Sequence, residues 1–140
     1  MNFIQSISTC MRKYVTFSGR ATRSEFWWFY LFTVLVNLVA TSQASSFVPA
    51  LLDGQDMTEN ESSYFLNNFF FLYLSTITSL ILLLPSLAVA VRRLHDVGRS
   101  GWWILIAFTV IGIIPLLIWY VTDTKDEENI YGPNPKTENA

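Results

Sequence analysis

Charge is scarce in this sequence, and the scarcity is concentrated. Lys, Arg, Asp and Glu supply 14% of its 140 residues, against roughly 25% in a soluble domain. No charged residue occurs between Glu25 and Asp53, between Glu61 and Arg92, or between Arg99 and Asp123, which leaves uncharged runs of 27, 30 and 23 residues. A hydrocarbon core of roughly 30 Å takes about 20 helical residues to cross. Each run is long enough, and a soluble globular domain is excluded. Cysteine and histidine are nearly absent too. Cys10 and His95 are the single copies, which rules out an intramolecular disulfide and the multi-ligand spacing of a metal centre; no metal and no cofactor are expected. A serine elbow and a phosphate-cradling glycine loop are missing. No Asp, Glu, Lys, Arg or His falls mid-span, where ion and proton relays place one.

The charges that are present are sorted by sign. Arg12, Lys13, Arg20 and Arg23 precede the first run, and Arg92, Arg93 and Arg99 separate the second from the third. The first loop holds Asp53, Asp56, Glu59 and Glu61 and has no Lys or Arg. By the positive-inside rule the amino terminus and residues 92–101 are cytoplasmic and residues 46–63 are external. The expected architecture is an all-α integral membrane protein. An interfacial amphipathic helix covers 1–16, a membrane domain covers 17–122 with three transmembrane helices at about 24–45, 64–91 and 102–121, and a polar tail covers 123–140. Three spans carry that tail outside.

Local signals support each element. Phe3, Ile4, Ile7, Met11, Tyr14 and Val15 recur at helical spacing opposite Ser6, Ser8, Thr9, Arg12 and Lys13. This is the pattern of a helix lying in the lipid interface, and a leader helix packed on the protein itself reads the same way. Thr22-Arg23-Ser24-Glu25 matches a capping box, so the first span starts near Thr22. Trp27, Trp28, Trp102 and Trp103 belong at headgroup level, where indole rings anchor helix ends. Asn37 and the Ser/Thr side of the second span face other helices, since an unpaired amide in hydrocarbon is costly. Pro85 removes a helical hydrogen bond and predicts a kink before Arg92. Gly112 and Pro115 allow the third span to kink, and equally allow a re-entrant hairpin that returns the tail to the cytoplasm. Asn129 to Pro135 reads as a fixed turn, with disorder expected beyond it.

Packing of the first and third spans beside the Arg92 turn gathers Arg20, Arg23, Arg92, Arg93 and Arg99 with Glu25, His95 and Asp96. Two readings of this constellation stand. In one, the carboxylates pair with arginines and lock the cytoplasmic helix ends while spare arginines face headgroups. In the other, the surplus positive charge binds an anionic lipid headgroup or an acidic protein partner. His95 beside Asp96 has the form of a carboxylate-oriented base, although a lone histidine among arginines is more often a hydrogen-bonded structural residue.

Three blocks carry a family resemblance: Phe17-Ser18-Gly19-Arg20-Ala21-Thr22-Arg23-Ser24-Glu25-Phe26-Trp27, Arg92-Arg93-Leu94-His95-Asp96-Val97-Gly98-Arg99-Ser100-Gly101-Trp102-Trp103, and Asn129-Ile130-Tyr131-Gly132-Pro133-Asn134-Pro135. Together they resemble the signature blocks of the domain of unknown function 805 family, small bacterial inner-membrane proteins. Ile130 stands where an arginine is common in that family. The resemblance implies a location and a fold and no reaction. The expectation is therefore a non-enzymatic inner-membrane component that engages membrane lipids or a protein partner through its arginine cluster, as a homo-oligomer or with another protein, and without nucleic acid. The alternative is a subunit of a small-solute transport or channel assembly, with Asn37 and the Ser/Thr face lining a path.

Overall fold

The computed structural model of the chain describes residues 1–42, 59–124 and 127–137. Helix dominates, and the chain divides into two compact units, Met1–Leu31 with Leu83–Ala140, and Phe32–Leu82. Among the described residues, two helical stretches are long and apolar enough to cross a membrane, Arg23–Ser42 and Phe69–Asp96. Only 17% and 33% of their most apolar windows are buried, whereas the core helix of a soluble protein buries most of its apolar side chains. Twenty residues at 1.5 Å each reach about 30 Å, the thickness of the hydrocarbon core.

In the first unit, α1 (Phe3–Arg12) opens on a capping box. Asn2 Oδ1 accepts from the Gln5 N–H at 2.9 Å, and Gln5 Oε1 accepts from the Asn2 N–H at 3.1 Å. The helix buries only its small residues Ser6 and Cys10 and leaves Ile4 and Met11 exposed. α2 (Arg23–Ser42) starts where the sequence predicts. The Thr22 hydroxyl accepts from the Glu25 N–H at 3.1 Å, and the Glu25 carboxylate goes to Arg92.

α3 (Glu59–Asp96) is longer than the expected second span at both ends. It starts at Glu59, so part of the expected external loop is helical; residues 46–58 of that loop lie outside the described residues. It also continues through Arg92, Arg93 and His95, where a charged turn was expected, and it passes Pro85 without ending. Arg and Leu are strong helix formers, and the stop signal comes only with Gly98, in the left-handed region at φ 71°. There the Gly98 N–H donates to the His95 carbonyl at 3.0 Å and the Arg99 N–H to the Leu94 carbonyl at 2.9 Å, the paired bonds of a Schellman cap.

The third apolar segment is not one helix. Gly101–Phe108 forms a 3-10 helix, Thr109 to Gly112 turn, and α4 (Ile113–Val121) follows. Gly101 starts this segment hard against α3, since a Cβ there would lie 2.6 Å from Val91 Cγ1. In the turn, the Gly112 N–H donates to the Thr109 carbonyl at 3.1 Å and to its hydroxyl at 3.0 Å. Pro115 falls in the first turn of α4, where its missing N–H costs nothing. Trp103 and Trp119 then meet edge to face at 5.5 Å, so the segment enters and leaves the unit at the same end. Phe26 and Tyr120 stack at 4.4 Å and, with Phe29, Ala88, Val89, Leu94 and Leu116, make the core. The tail forms a two-residue ladder, β1 (Glu128–Asn129) antiparallel to β2 (Gly132–Pro133).

In the second unit the Ser79 hydroxyl donates to Asn37 Oδ1 at 2.6 Å, and Asn37 Nδ2 donates to the Thr33 carbonyl at 2.8 Å. Ser75 and Thr76 bond to the Leu72 carbonyl and Thr78 to that of Leu74. Much of the polar side of α3 is therefore satisfied by its own backbone.

Candidate functional site

Three arginines and two carboxylates are buried together at one end of the first unit. Arg20, Arg92, Arg93, Glu25 and Asp96 are each at most 5% exposed. Asp96 takes two arginines, one on each oxygen: Arg20 Nε donates to Oδ1 at 2.9 Å, and Arg93 Nη1 donates to Oδ2. Arg92 Nη1 donates to Glu25 Oε1 at 2.7 Å. Two further nitrogens of Arg92, Nε and Nη2, are buried with no hydrogen-bond partner among the described residues.

The remaining donors close helix and tail ends. Arg93 Nε bonds to the Tyr120 carbonyl at 3.2 Å, and its Nη2 reaches the carbonyls of Trp119 and Thr122. A guanidinium here satisfies the unpaired carbonyls at the end of α4 and opposes the negative end of its dipole. Arg20 Nη1 donates to the Gly132 carbonyl at 3.1 Å, and its Nη2 to the Thr124 hydroxyl at 3.4 Å. Asn129 Nδ2 donates to the His95 carbonyl at 2.9 Å, and Tyr131 stacks on the His95 ring at 3.9 Å with the planes parallel. His95 Nδ1 lies 3.2 Å from the Gly19 carbonyl.

The structure thus places Arg20, Arg92, Arg93, Glu25 and Asp96 together, with His95 on the Gly19 carbonyl and the Tyr131 ring, while Arg23 and Arg99 stand apart. Arg23 is exposed, with Nη1 on the Val121 carbonyl at 3.1 Å and Nη2 on Asp123 at 3.0 Å. Lys136 meets the other Asp123 oxygen at 2.6 Å. That bond, with the further pull of Lys136 and Arg23, holds the Asp123 carboxyl below the usual range, so the trio is ionised at neutral pH. Arg99 is exposed and lies 5.2 Å over the Trp119 ring. Trp28, Trp102 and Trp103 are exposed, as interface anchors require, and Trp27 is half-buried.

Sequence reasoning missed the part played by the tail and by Cys10. The Asn129 to Pro135 block reads as a turn, but nothing in its composition says that it packs on His95. Cys10 is fully buried, with Sγ 3.8 Å from Glu25 Oε1. Burial, reinforced by the Glu25 carboxylate, pushes its thiol up to about 12. At pH 8 the group is a protonated thiol, and the thiolate is the reactive form. N-ethylmaleimide is expected to leave the folded protein unmodified and to label it fully once denatured. Rapid labelling of the native protein would show that α1 does not rest on Glu25.

The family model described as a protein of unknown function, DUF805, matches residues 14–133. The chain belongs to the DUF805 family. Among its relatives, inner membrane protein YhaI of Escherichia coli (strain K12) is 36% identical, covering 90% of this chain and 91% of the relative. Inner membrane protein YhaH of the same strain is also 36% identical, covering 91% of this chain and 93% of the relative. No solved structure matches the chain. The family residues 14–133 include every member of the buried network, the His95–Tyr131 stack and the turn at Gly112.

Proposed function

We propose that the chain is a non-enzymatic component of the bacterial inner membrane that crosses it twice, keeps both ends cytoplasmic and holds anionic lipid headgroups at its arginine-rich end. One observation carries the lipid reading. Arg20, Arg92 and Arg93 are buried and committed to Asp96 and Glu25, while Arg23 and Arg99 remain exposed near tryptophans of the same unit. Arginine beside indole is the chemistry of a cytoplasmic membrane face, and basic residues there attract anionic lipid. The five expected cationic residues accordingly divide into three fasteners and two headgroup ligands.

The location is supported by the names of the two relatives. The double crossing is supported by the helices Arg23–Ser42 and Phe69–Asp96 and by the return of residues 101–121 to their starting end. A non-enzymatic role is supported by His95, whose Nδ1 lies 3.2 Å from the Gly19 carbonyl while Asp96 serves Arg20 and Arg93. The transport alternative gains nothing from Asn37, which is closed by Ser79 and Thr33.

Reconstitution into bilayers of phosphatidylglycerol and phosphatidylethanolamine, then mild detergent extraction, tests this function. The co-extracted lipid is expected to be enriched in phosphatidylglycerol over the starting bilayer. An unchanged ratio would remove the lipid-holding role.

A further inference from the structure

A cleft of about 640 Å³ in the first unit is walled by Thr22, Arg23, Ser24, Trp27, Val121 and Lys136, among others. Its charge does not cancel. Arg23 and Lys136 share the single carboxylate of Asp123, one on each oxygen, so two cations face one anion. Both cations have nearly half of their side-chain surface exposed, at 45% and 46%, and so have donor surface for a ligand. The Thr22 and Ser24 hydroxyls are hydrogen-bonded to each other at 3.1 Å on the same wall, where the Met1 ammonium donates to Ser24 Oγ at 3.4 Å, so the pair leaves one O–H for a ligand. Opposite in character, Trp27 and Val121 supply an apolar side. Arg23 is also the first residue of a candidate membrane span, which sets the cleft at headgroup depth.

We infer that this cleft is a phospholipid site. The phosphate of one anionic headgroup lies between Arg23 and Lys136, within reach of the Thr22 and Ser24 hydroxyls, and the glycerol and upper acyl chain run along Trp27 and Val121. The inference rests on the lipid-holding function proposed above and gives it a location. It also separates this cleft from Arg99, the other exposed arginine of the expected cluster. Lys136 lies beyond the third family block, in the tail, and the sequence offered no reason to join it to Arg23. The fold does so because Arg20 and His95 hold the ladder β1–β2 in place.

The test is native mass spectrometry of the full chain titrated with phosphatidylglycerol, with phosphatidylcholine and with inorganic phosphate. Each basic residue near an anionic lipid surface is worth a factor of about five in affinity. Arg23→Gln with Lys136→Gln is therefore expected to weaken phosphatidylglycerol binding about 25-fold, with phosphatidylcholine binding weak throughout and no phosphate adduct. Lys136→Gln alone, in the tail and outside the core, is expected to weaken it about fivefold, which keeps the test informative if the double variant fails to fold. Phosphatidylglycerol binding that survives both variants and disappears in Arg99→Gln would overturn this site and leave the lipid-holding function standing. Wild-type protein with no preference for phosphatidylglycerol would overturn both. A phosphate adduct as strong as the lipid adduct would overturn the lipid assignment, since free phosphate makes no use of Trp27 and Val121.

Discussion

Asp96→Asn is expected to lower the stability of the micelle-solubilised protein by about 3–5 kcal/mol, the loss usual when one partner of a buried ion pair is removed. Asp96 is the shared anion of Arg20 and Arg93, and all three groups are cut off from solvent. The amide keeps the shape and removes the charge, so two guanidiniums are left buried beside a neutral acceptor. Arg23→Gln breaks an ion pair that is 45% and 38% exposed, and exposed pairs are worth about 0–1 kcal/mol. Denaturation by SDS in mixed micelles reads both variants on one scale. Equal losses in the two would show that water reaches Asp96 and that the network is not a fastener.

Gly112→Ala is expected to destabilise by about 1–3 kcal/mol, the range for forcing atoms into filled space, and to loosen the turn between the 3-10 helix and α4. The backbone at Gly112 is ordinary, with φ −69°, so the cost is one of contact. A Cβ there would run into the Ile106 carbonyl oxygen and lie 2.6 Å from the Thr109 hydroxyl. That carbonyl already accepts from the Thr109 N–H at 2.9 Å and from its hydroxyl at 2.8 Å, so it has no easy retreat. Thermal unfolding followed by tryptophan fluorescence reports the change, because Trp103 and Trp119 meet only while the turn holds. An alanine variant as stable as the wild type would mean the turn is not closed in this way.

The membrane setting of this chain was legible in the sequence because it depends on the charge gaps, which no packing detail can alter. The start of α2 was legible for the same local reason, a threonine three residues before a glutamate. What composition could not decide was the third apolar segment. A 23-residue uncharged run is long enough to cross, and Gly112 with Pro115 fits a kink as well as a reversal. The choice is made by remote contacts: Gly101 against Val91 at one end, and Arg93 on the last carbonyls of α4 at the other. The arginine cluster shows the same division. Of its five expected arginines, Arg20, Arg92 and Arg93 are buried together and Arg23 and Arg99 are not, and the burial of Arg92 and Arg93 follows from α3 running on to Asp96, where a charged turn was expected. The part of the tail was hidden further still, because Tyr131 and Lys136 acquire partners only through the fold.

Residues 101–121 double back at the turn Thr109 to Gly112, with Gly101 against Val91 at one end and Arg93 on the last carbonyls of α4 at the other. The side of the membrane that holds the tail tests this most directly. Fluorescent-protein and alkaline-phosphatase reporters fused after Ala140 give opposite signals on the two sides. The structure predicts fluorescence without phosphatase activity, a cytoplasmic tail. Phosphatase activity without fluorescence would put the tail outside, restore a third crossing, and contradict the hairpin, the Arg93 cap on α4 and the Tyr131 stack on His95 together.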